Sequence, residues 1–495
     1  MYYFVLMVLL FKKFFMKNKN TEKKNFLEIF YRNLEKDCIF NEHATFNFKK
    51  LLSYIYQINY YLKKNKLENQ TVITQFENKS HTLIFYLASI FSKTTICPLD
   101  PKLPNSRVEK IKKITNSKKI IKKIKLSNII FYDDKYFNLK NHNFLITFSS
   151  GTSGNPKGII HSSDNILGVS KSYCQLAGYN KKTRILHCLP EYYMAGIVNT
   201  FLAGIVSTSQ IFIAENFSKK SIFTIWSDIK NHKINLVYLV PSIFSMLTNF
   251  SPSSAKGLIK KNKIKFLSTS NNLYPNIRKT FFKRFKVKIK SCYGITEMGG
   301  PLTNESVGNL HHDSAGKIIS GCSCKVKRLN DLNFLFFKSK FTCKFLIING
   351  KKRKISLDGQ GYFNSQDTGY IEKNNIYLTG REKDILKKGG ELILLKDIEN
   401  NFLTCSFVEE VAAVGIDDDL SDEKLNLYFV LNQKKSSFQN SIKILLKIIE
   451  KKLYKTEKPD KIILIKKMPK TISGKIIKRQ LLSINAKDKI REVIL

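Results

Sequence analysis

Acidic residues are scarce in this chain: 39 Asp and Glu stand against 84 Lys and Arg in 495 residues, a formal net charge of +45. The lysine excess runs along the whole length instead of gathering in one patch. It reads as compositional bias, and a nucleic-acid partner is not expected. Zinc-finger spacing and aromatic–glycine runs of the RNA-binding kind are both missing. A basic surface still attracts ATP and other anions without regard to sequence. A cysteine framework is missing too. Of nine cysteines, Cys322 and Cys324 form the close pair, with no second pair at metal-ligand spacing. That excludes a disulfide scaffold and points to reduced thiols in a cytoplasmic protein. The eight histidines form no H-E-x-x-H cluster, so no dedicated transition-metal site is expected. Long apolar runs are absent. The longest, residues 2–11, is about half of what a bilayer span needs. It has no basic segment before it and no small-residue cleavage site after it. It reads as a mis-assigned start or a disordered extension over residues 1–25, ahead of a weak interfacial anchor.

What is present is an alternation of strand and helix patterns. Residues 26–66 carry helical apolar spacing, and TVITQFE then reads as a strand. HTLIFYLASIFS reads as a helix, TTICPLDP as a strand ending in a turn, RVEKIKKITNSKK as a helix and KIIKKIKL as a strand. This order predicts parallel α/β layers, continued through ILHCLP, a helix from Ala195, SQIFIAE, INLVYLVP and IKFLSTS. Residues 320–380 carry shorter alternating strands, which predict a small β-barrel or sheet. Beyond residue 380 the pattern becomes that of a compact α+β module. The expected fold is therefore a large domain of doubly wound α/β subdomains plus a small β-barrel, residues 26–380. A smaller mobile α+β domain, residues 381–495, follows it, with a boundary near Arg381 and Lys383.

The most informative segment is Ser149-Ser150-Gly151-Thr152-Ser153-Gly154-Asn155-Pro156-Lys157-Gly158, directly after the apolar strand FLITF. Glycines let backbone approach an anion closely, hydroxyls and free N–H groups donate to phosphate oxygens, and Lys157 adds compensating charge. The spacing is not that of a Walker A loop. A Gly/Ser/Thr linker is the bland alternative, but linkers seldom follow a buried strand with this order of Gly, Pro and Lys.

This decapeptide resembles the phosphate-binding signature of the adenylate-forming superfamily, which includes acyl-CoA synthetases, luciferases and the adenylation domains of nonribosomal peptide synthetases. Three further segments resemble that family in the expected order. Tyr293-Gly294-Ile295-Thr296-Glu297 is similar to its Y-G-x-T-E motif. There the resemblance implies Tyr293 against adenine, Thr296 on a phosphate oxygen and Glu297 on Mg²⁺, with Thr152 as a second metal contact. Asp367 stands where relatives bind both ribose hydroxyls, and Arg381 where they contact ribose or phosphate. Lys383 falls at the hinge and Gly390 at the glycine lining the thiol tunnel. Pro469-Lys470-Thr471-Ile472-Ser473-Gly474-Lys475 resembles the C-terminal motif whose last lysine is catalytic. In so lysine-rich a chain, Lys475 is singled out by its flanking Pro, Thr, Ser and Gly. A weaker likeness, Cys97-Pro98-Leu99-Asp100-Pro101, reads as a structural turn.

The resemblance implies an enzyme that activates a carboxylic acid as an acyl-adenylate with release of pyrophosphate. The acyl group then passes to a pantetheine thiol. Lys475, Thr296 and Glu297 would serve the chemistry. Ser150, Gly151, Thr152, Ser153, Gly154, Lys157, Tyr293, Gly294, Asp367, Arg381 and Gly390 would hold ATP and the thiol. The implied cofactors are ATP, Mg²⁺ and CoA, or a phosphopantetheine carrier in its place. The alternatives are a stand-alone adenylation enzyme loading an acid or amino acid onto a carrier in trans, and a catalytically reduced basic scaffold. The retained charged residues weigh against the scaffold. Several positions depart from the family pattern. Tyr193 stands where many relatives have a histidine gating the acyl pocket. Asn271 and Asn272 replace small residues beside adenine, Ser365-Gln366 precedes the ribose acid in place of T-G, and no clear G-E-L element follows Glu297.

Overall fold

A computed structural model describes residues 21–127, 137–149, 157–218, 221–270, 273–305, 308, 314–329, 332–388, 391–418, 422–432, 436–471, 476–485 and 488–494. Apolar β-branched runs form two seven-stranded sheets. The first has the spatial order Ile289–Ser291, Lys265–Ser268, Leu236–Leu239, Arg184–His187, Gln210–Ile213, Asp37–Phe40 and Thr45–Asn47. Its strands are parallel up to Asp37–Phe40, and the last closes an antiparallel hairpin. All four residues of Leu236–Leu239 are buried, as expected of a parallel strand covered on both faces. The hairpin corrects the continuous helical reading of residues 26–66. Two helices, Glu22–Arg32 and Phe48–Lys64, flank it, and the short β-branched and aromatic runs between them pair instead.

The second sheet has the order Lys351–Lys354, Phe345–Ile348, Lys157–Ser162, Asn143–Ser149, Thr95–Pro98, Thr71–Thr74 and Lys119–Ile121. Phe345–Ile348 pairs antiparallel with Lys157–Ser162. This corrects the assignment of FTCKFLIING to the small β unit: its backbone completes the sheet that carries the phosphate-loop signature. Helices fill the space between the two sheets, and one core cluster draws Val72 and Ile96 from the second sheet and Ile39 and Ile185 from the first. In the helix Lys79–Ile90 every residue except His81 is buried. The helix expected from Ala195 opens with π-type hydrogen bonding over Ala195–Leu202 before turning α-helical.

The small β unit is a six-stranded antiparallel sheet ordered Thr303–Asn304, Ser314–Ile318, Asn375–Arg381, Phe363–Glu372, Leu332–Ser339 and Cys322–Leu329. Its outer strands do not pair with each other among the described residues, so what is described is an open sheet. After Arg381 the chain forms the hairpin Ile385–Lys388 with Glu391–Leu394, the helices Leu395–Phe402 and Phe438–Lys452, and a four-stranded sheet around a separate apolar cluster.

Candidate active site

The site is assembled by strand register. Asp367 and Arg381 are direct cross-strand partners on Phe363–Glu372 and Asn375–Arg381. Arg381 Nε lies 2.6 Å from Asp367 Oδ1, and the Tyr293 hydroxyl donates to Asp367 Oδ2 at 2.5 Å. Asp367 is only 3% exposed, so this carboxylate is held by partners and not by water. Burial, then the neighbouring Asp367 charge, pushes the Tyr293 phenol well above its ordinary pKa, which keeps it protonated as the donor. The Asp367 charge in turn raises the pKa of the Arg381 guanidinium.

Tyr293 leads into a tight hairpin, Gly294–Ile295 against Gly300–Pro301, whose loop is the 3₁₀ turn Thr296–Met298. A Cβ at Gly294 would stand 2.2 Å from the Gly300 carbonyl oxygen, so the close approach of the two backbones requires glycine there. The hairpin presents Thr296 and Glu297. Lys157 opens the strand Lys157–Ser162, which pairs Ser149 with Lys157 in register and thereby places the two ends of the phosphate-loop segment side by side. The helix Ser163–Ala177 follows at once, capped by the Ser162 hydroxyl and ended by Gly178 in the left-handed region at φ 71°. Lys157 Nζ lies 2.8 Å from Glu297 Oε1, partly shielded from solvent.

A cleft of about 2180 Å³ separates the two domains. Tyr293, Gly294, Thr296 and Asp367 line it from the large domain, with Arg381 at the boundary, while Lys470 and Thr471 of the C-terminal motif line it from the other side. Tyr193, Met194, Asn199, Thr269 and Cys292 form a further wall of the same cleft. The loop bearing Tyr193 is fixed from behind. Tyr86 donates to Glu191 O at 2.6 Å, Asn216 donates to the Glu191 carboxylate at 3.2 Å, and Tyr192 donates to Asp100 at 2.9 Å. The turn at Asp100 that read as structural thus supports a wall of the cleft. Residues 150–156, Asn271, Asn272, Gly390 and Lys475 lie outside the described residues, as does the side chain of Lys383.

Sequence reasoning missed three partnerships around this cleft. Arg278 Nη1 pairs with Glu305 Oε2 at 2.8 Å, with both side chains at most 3% exposed. Lys478 lies 2.9 Å from Glu399 and 3.3 Å from Asp384; against the cost of its partial burial, those two carboxylates hold the ammonium above its usual pKa. Tyr274 crosses between domains to Glu399. Only the tertiary pairing marks these partnerships.

Among the described residues no group of three or more His, Cys, Asp or Glu is arranged to hold a metal by itself. Glu297 offers a single carboxylate, which fits the way Mg²⁺ is bound with phosphates and water supplying its other ligands. No helix of the described residues is long and apolar enough to cross a membrane.

Comparison with known proteins matches this architecture. The sequence is 23% identical over 363 residues to malonate–CoA ligase of Arabidopsis thaliana, covering 68% of this chain and 60% of that protein. It is 21% identical over 348 residues to crotonobetaine/carnitine–CoA ligase of Escherichia coli O157:H7, covering 68% of this chain and 66% of the relative. The matched stretch thus spans somewhat under two thirds of the length of either curated relative. The fold superposes on ATP-bound MatB from Rhodopseudomonas palustris with a TM-score of 0.79, at 17% identity, over 92% of this chain and 98% of the other. The family model for the C-terminal domain of AMP-binding enzymes matches residues 397–475, the part that brings Lys470 to the cleft. With the AMP-binding enzyme model itself matching residues 28–333, from the first helix through the Tyr293 hairpin, the chain belongs to the AMP-binding enzyme family.

Proposed function

We propose that this protein activates a carboxylic acid with ATP, forming an acyl-adenylate and pyrophosphate, and then transfers the acyl group to the thiol of CoA. The observation that carries the reading is the buried Asp367. It is bonded to Tyr293 and Arg381 on one wall of a cleft whose opposite wall is the Lys470–Thr471 segment. A nucleoside needs a fixed acceptor for its ribose hydroxyls, and a carboxylate preorganised by two donors is such a group. The named activities of the CoA-ligase relatives support the same reaction class.

A carboxylate is a poor acyl donor because its leaving group would be oxide. Attack of its oxygen on the α-phosphorus of ATP makes a mixed anhydride and releases pyrophosphate. Two anions must meet, so the site has to supply cations and donors. In this reading Lys157, Thr296 and residues 150–154 take the phosphates, and Tyr293, Asp367 and Arg381 hold the nucleoside. Lys475 bridges the carboxylate and ATP oxygens. Glu297 would hold Mg²⁺, with Thr152 beside it; the ion, when bound, offsets phosphate charge. Lys157 exchanges Glu297 for a phosphate oxygen when ATP arrives. The C-terminal domain, residues 381–495, turns about Lys383 between the two steps, and the Gly390 loop admits the thiol. The cytoplasm, with reduced thiols and CoA, suits nine cysteines without a disulfide among them.

The test is ATP–pyrophosphate exchange over separate pools of fatty, aryl, short-chain, hydroxy and amino acids. Thioester formation is then followed in separate arms with CoA and with a phosphopantetheinyl carrier protein. Exchange with one pool and thioester on CoA is the expected result. Thioester on the carrier alone would replace the acceptor. Failure to bind ATP would overturn the reading.

A further inference from the structure

Two of the contacts that tie the domains begin on one short stretch of the large domain. Tyr274, just before the helix Pro275–Phe285, donates its hydroxyl to Glu399 Oε2 at 3.2 Å. Two residues on, Asn276 Nδ2 donates to Leu403 O at 2.7 Å. Both acceptors belong to the helix Leu395–Phe402 and the residue that ends it. Glu399 is 5% exposed, and its other oxygen already accepts from Ala413 N at 2.9 Å and faces Lys478 at 2.9 Å. The carboxylate is therefore fixed within the small domain before Tyr274 reaches it. Donation to an ionised, immobile acceptor is stronger than between neutral groups. A third tie, Lys396 Nζ to Leu378 O at 2.8 Å, lies close to the linker and moves least if the domains rotate there.

With Tyr274 and Asn276 engaged, Lys470 and Thr471 line the cleft together with Tyr293 and Asp367. We infer that Tyr274 and Asn276 form an interdomain latch that favours the orientation for acyl-adenylate formation and opens before the acyl group moves to the thiol. The inference rests on the function proposed above. Tyr274 and Asn276 are positioning residues: their hydrogen bonds go to the small domain, and through these they act on the population of one orientation.

The test uses the full chain with azidophenylalanine at positions 223 and 454, aromatic sites that are each 79% exposed, one on each domain. Attached dyes report the interdomain separation with and without Tyr274→Phe plus Asn276→Ala. The substitutions should shift the separation away from the wild-type value. Pyrophosphate exchange should fall on the order of tenfold, as the loss of two hydrogen bonds, one of them to a carboxylate, implies. Thioester formation from supplied acyl-adenylate should stay equal or quicken. An unchanged separation, or equal loss of both half-reactions, overturns the latch. If the wild type exchanges pyrophosphate with no acid, the proposed reaction falls, and the dye separation alone decides whether the latch exists.

Discussion

Lys157 and Glu297, 140 residues apart in the chain, meet at 2.8 Å where the phosphate-loop hairpin faces the Tyr293 hairpin. In the function proposed above, this pair supplies the cation for phosphate oxygens and the carboxylate for a metal. Glu297→Gln should keep the fold and slow pyrophosphate exchange by about 10²–10³-fold, the range for removing one preorganised electrostatic group. The loss should be partly recovered at high Mg²⁺, and chelation of divalent ions should abolish exchange in the wild type. Exchange rates titrated with Mg²⁺ check both outcomes.

Lys475→Ala should abolish acyl-adenylate formation while leaving thioester formation from supplied acyl-adenylate largely intact. The two half-reactions, measured separately, decide this. Equal loss of both would remove Lys475 from the role of bridging carboxylate and ATP.

Arg278 is held by Glu305, by Ile289 O at 3.1 Å and by Leu273 O at 3.4 Å, all away from water. Glu305 also accepts from Ser291 N at 2.6 Å, on the strand that leads into Tyr293. Glu305→Ala leaves a buried guanidinium without its counter-charge and should cost about 3–5 kcal/mol. Urea denaturation of the variant against wild type measures it. The Arg278→Met/Glu305→Leu double variant should recover much of that loss.

Lys23 is buried, donates to Asn138 O at 3.0 Å and lies 2.9 Å from His142 Nδ1; burial lowers its pKa to about 7. The unfolded lysine titrates near 10.5, so between about pH 7 and pH 10 the unfolded chain binds the extra proton. Stability should therefore rise with pH across that window. Lys79, lowered by burial to about 8, acts with the same sign. Lys23→Met should flatten the rise without removing it, as denaturation midpoints at pH 7 and pH 9.5 will report.

The strands and helices of the two α/β layers are legible in the sequence because each is a short apolar run bounded by turn residues. What sequence periodicity did not show is pairing at long range. Phe345–Ile348 has the same alternating look as its neighbours in the small sheet, yet its partner is Lys157–Ser162, nearly two hundred residues earlier. Residues 26–66 hide a hairpin because two strands of four and three residues are too short to break a helical pattern by eye. In the site, the motif residues Tyr293, Asp367 and Arg381 do meet, as the family resemblance of their motifs implies. Glu399, Lys478 and Tyr274 escaped because a solvated charged turn and a buried pair are written with the same residues.

The late strand has a consequence for how the chain is made. Lys157–Ser162 stays an open edge until the ribosome has delivered Phe345–Ile348, so the flank of the glycine-rich loop is exposed while the five later strands of the first sheet, Arg184–His187 to Ile289–Ser291, are made. A fragment ending near residue 333 would leave Ile159 and Ile160 on an unpaired margin, ready to pair with another nascent chain. The hairpin that covers it closes with Lys351–Lys354, four consecutive exposed cations, and a strand so charged resists further neighbours. Assembly of this half of the molecule thus ends on a terminator that its own sequence supplies last.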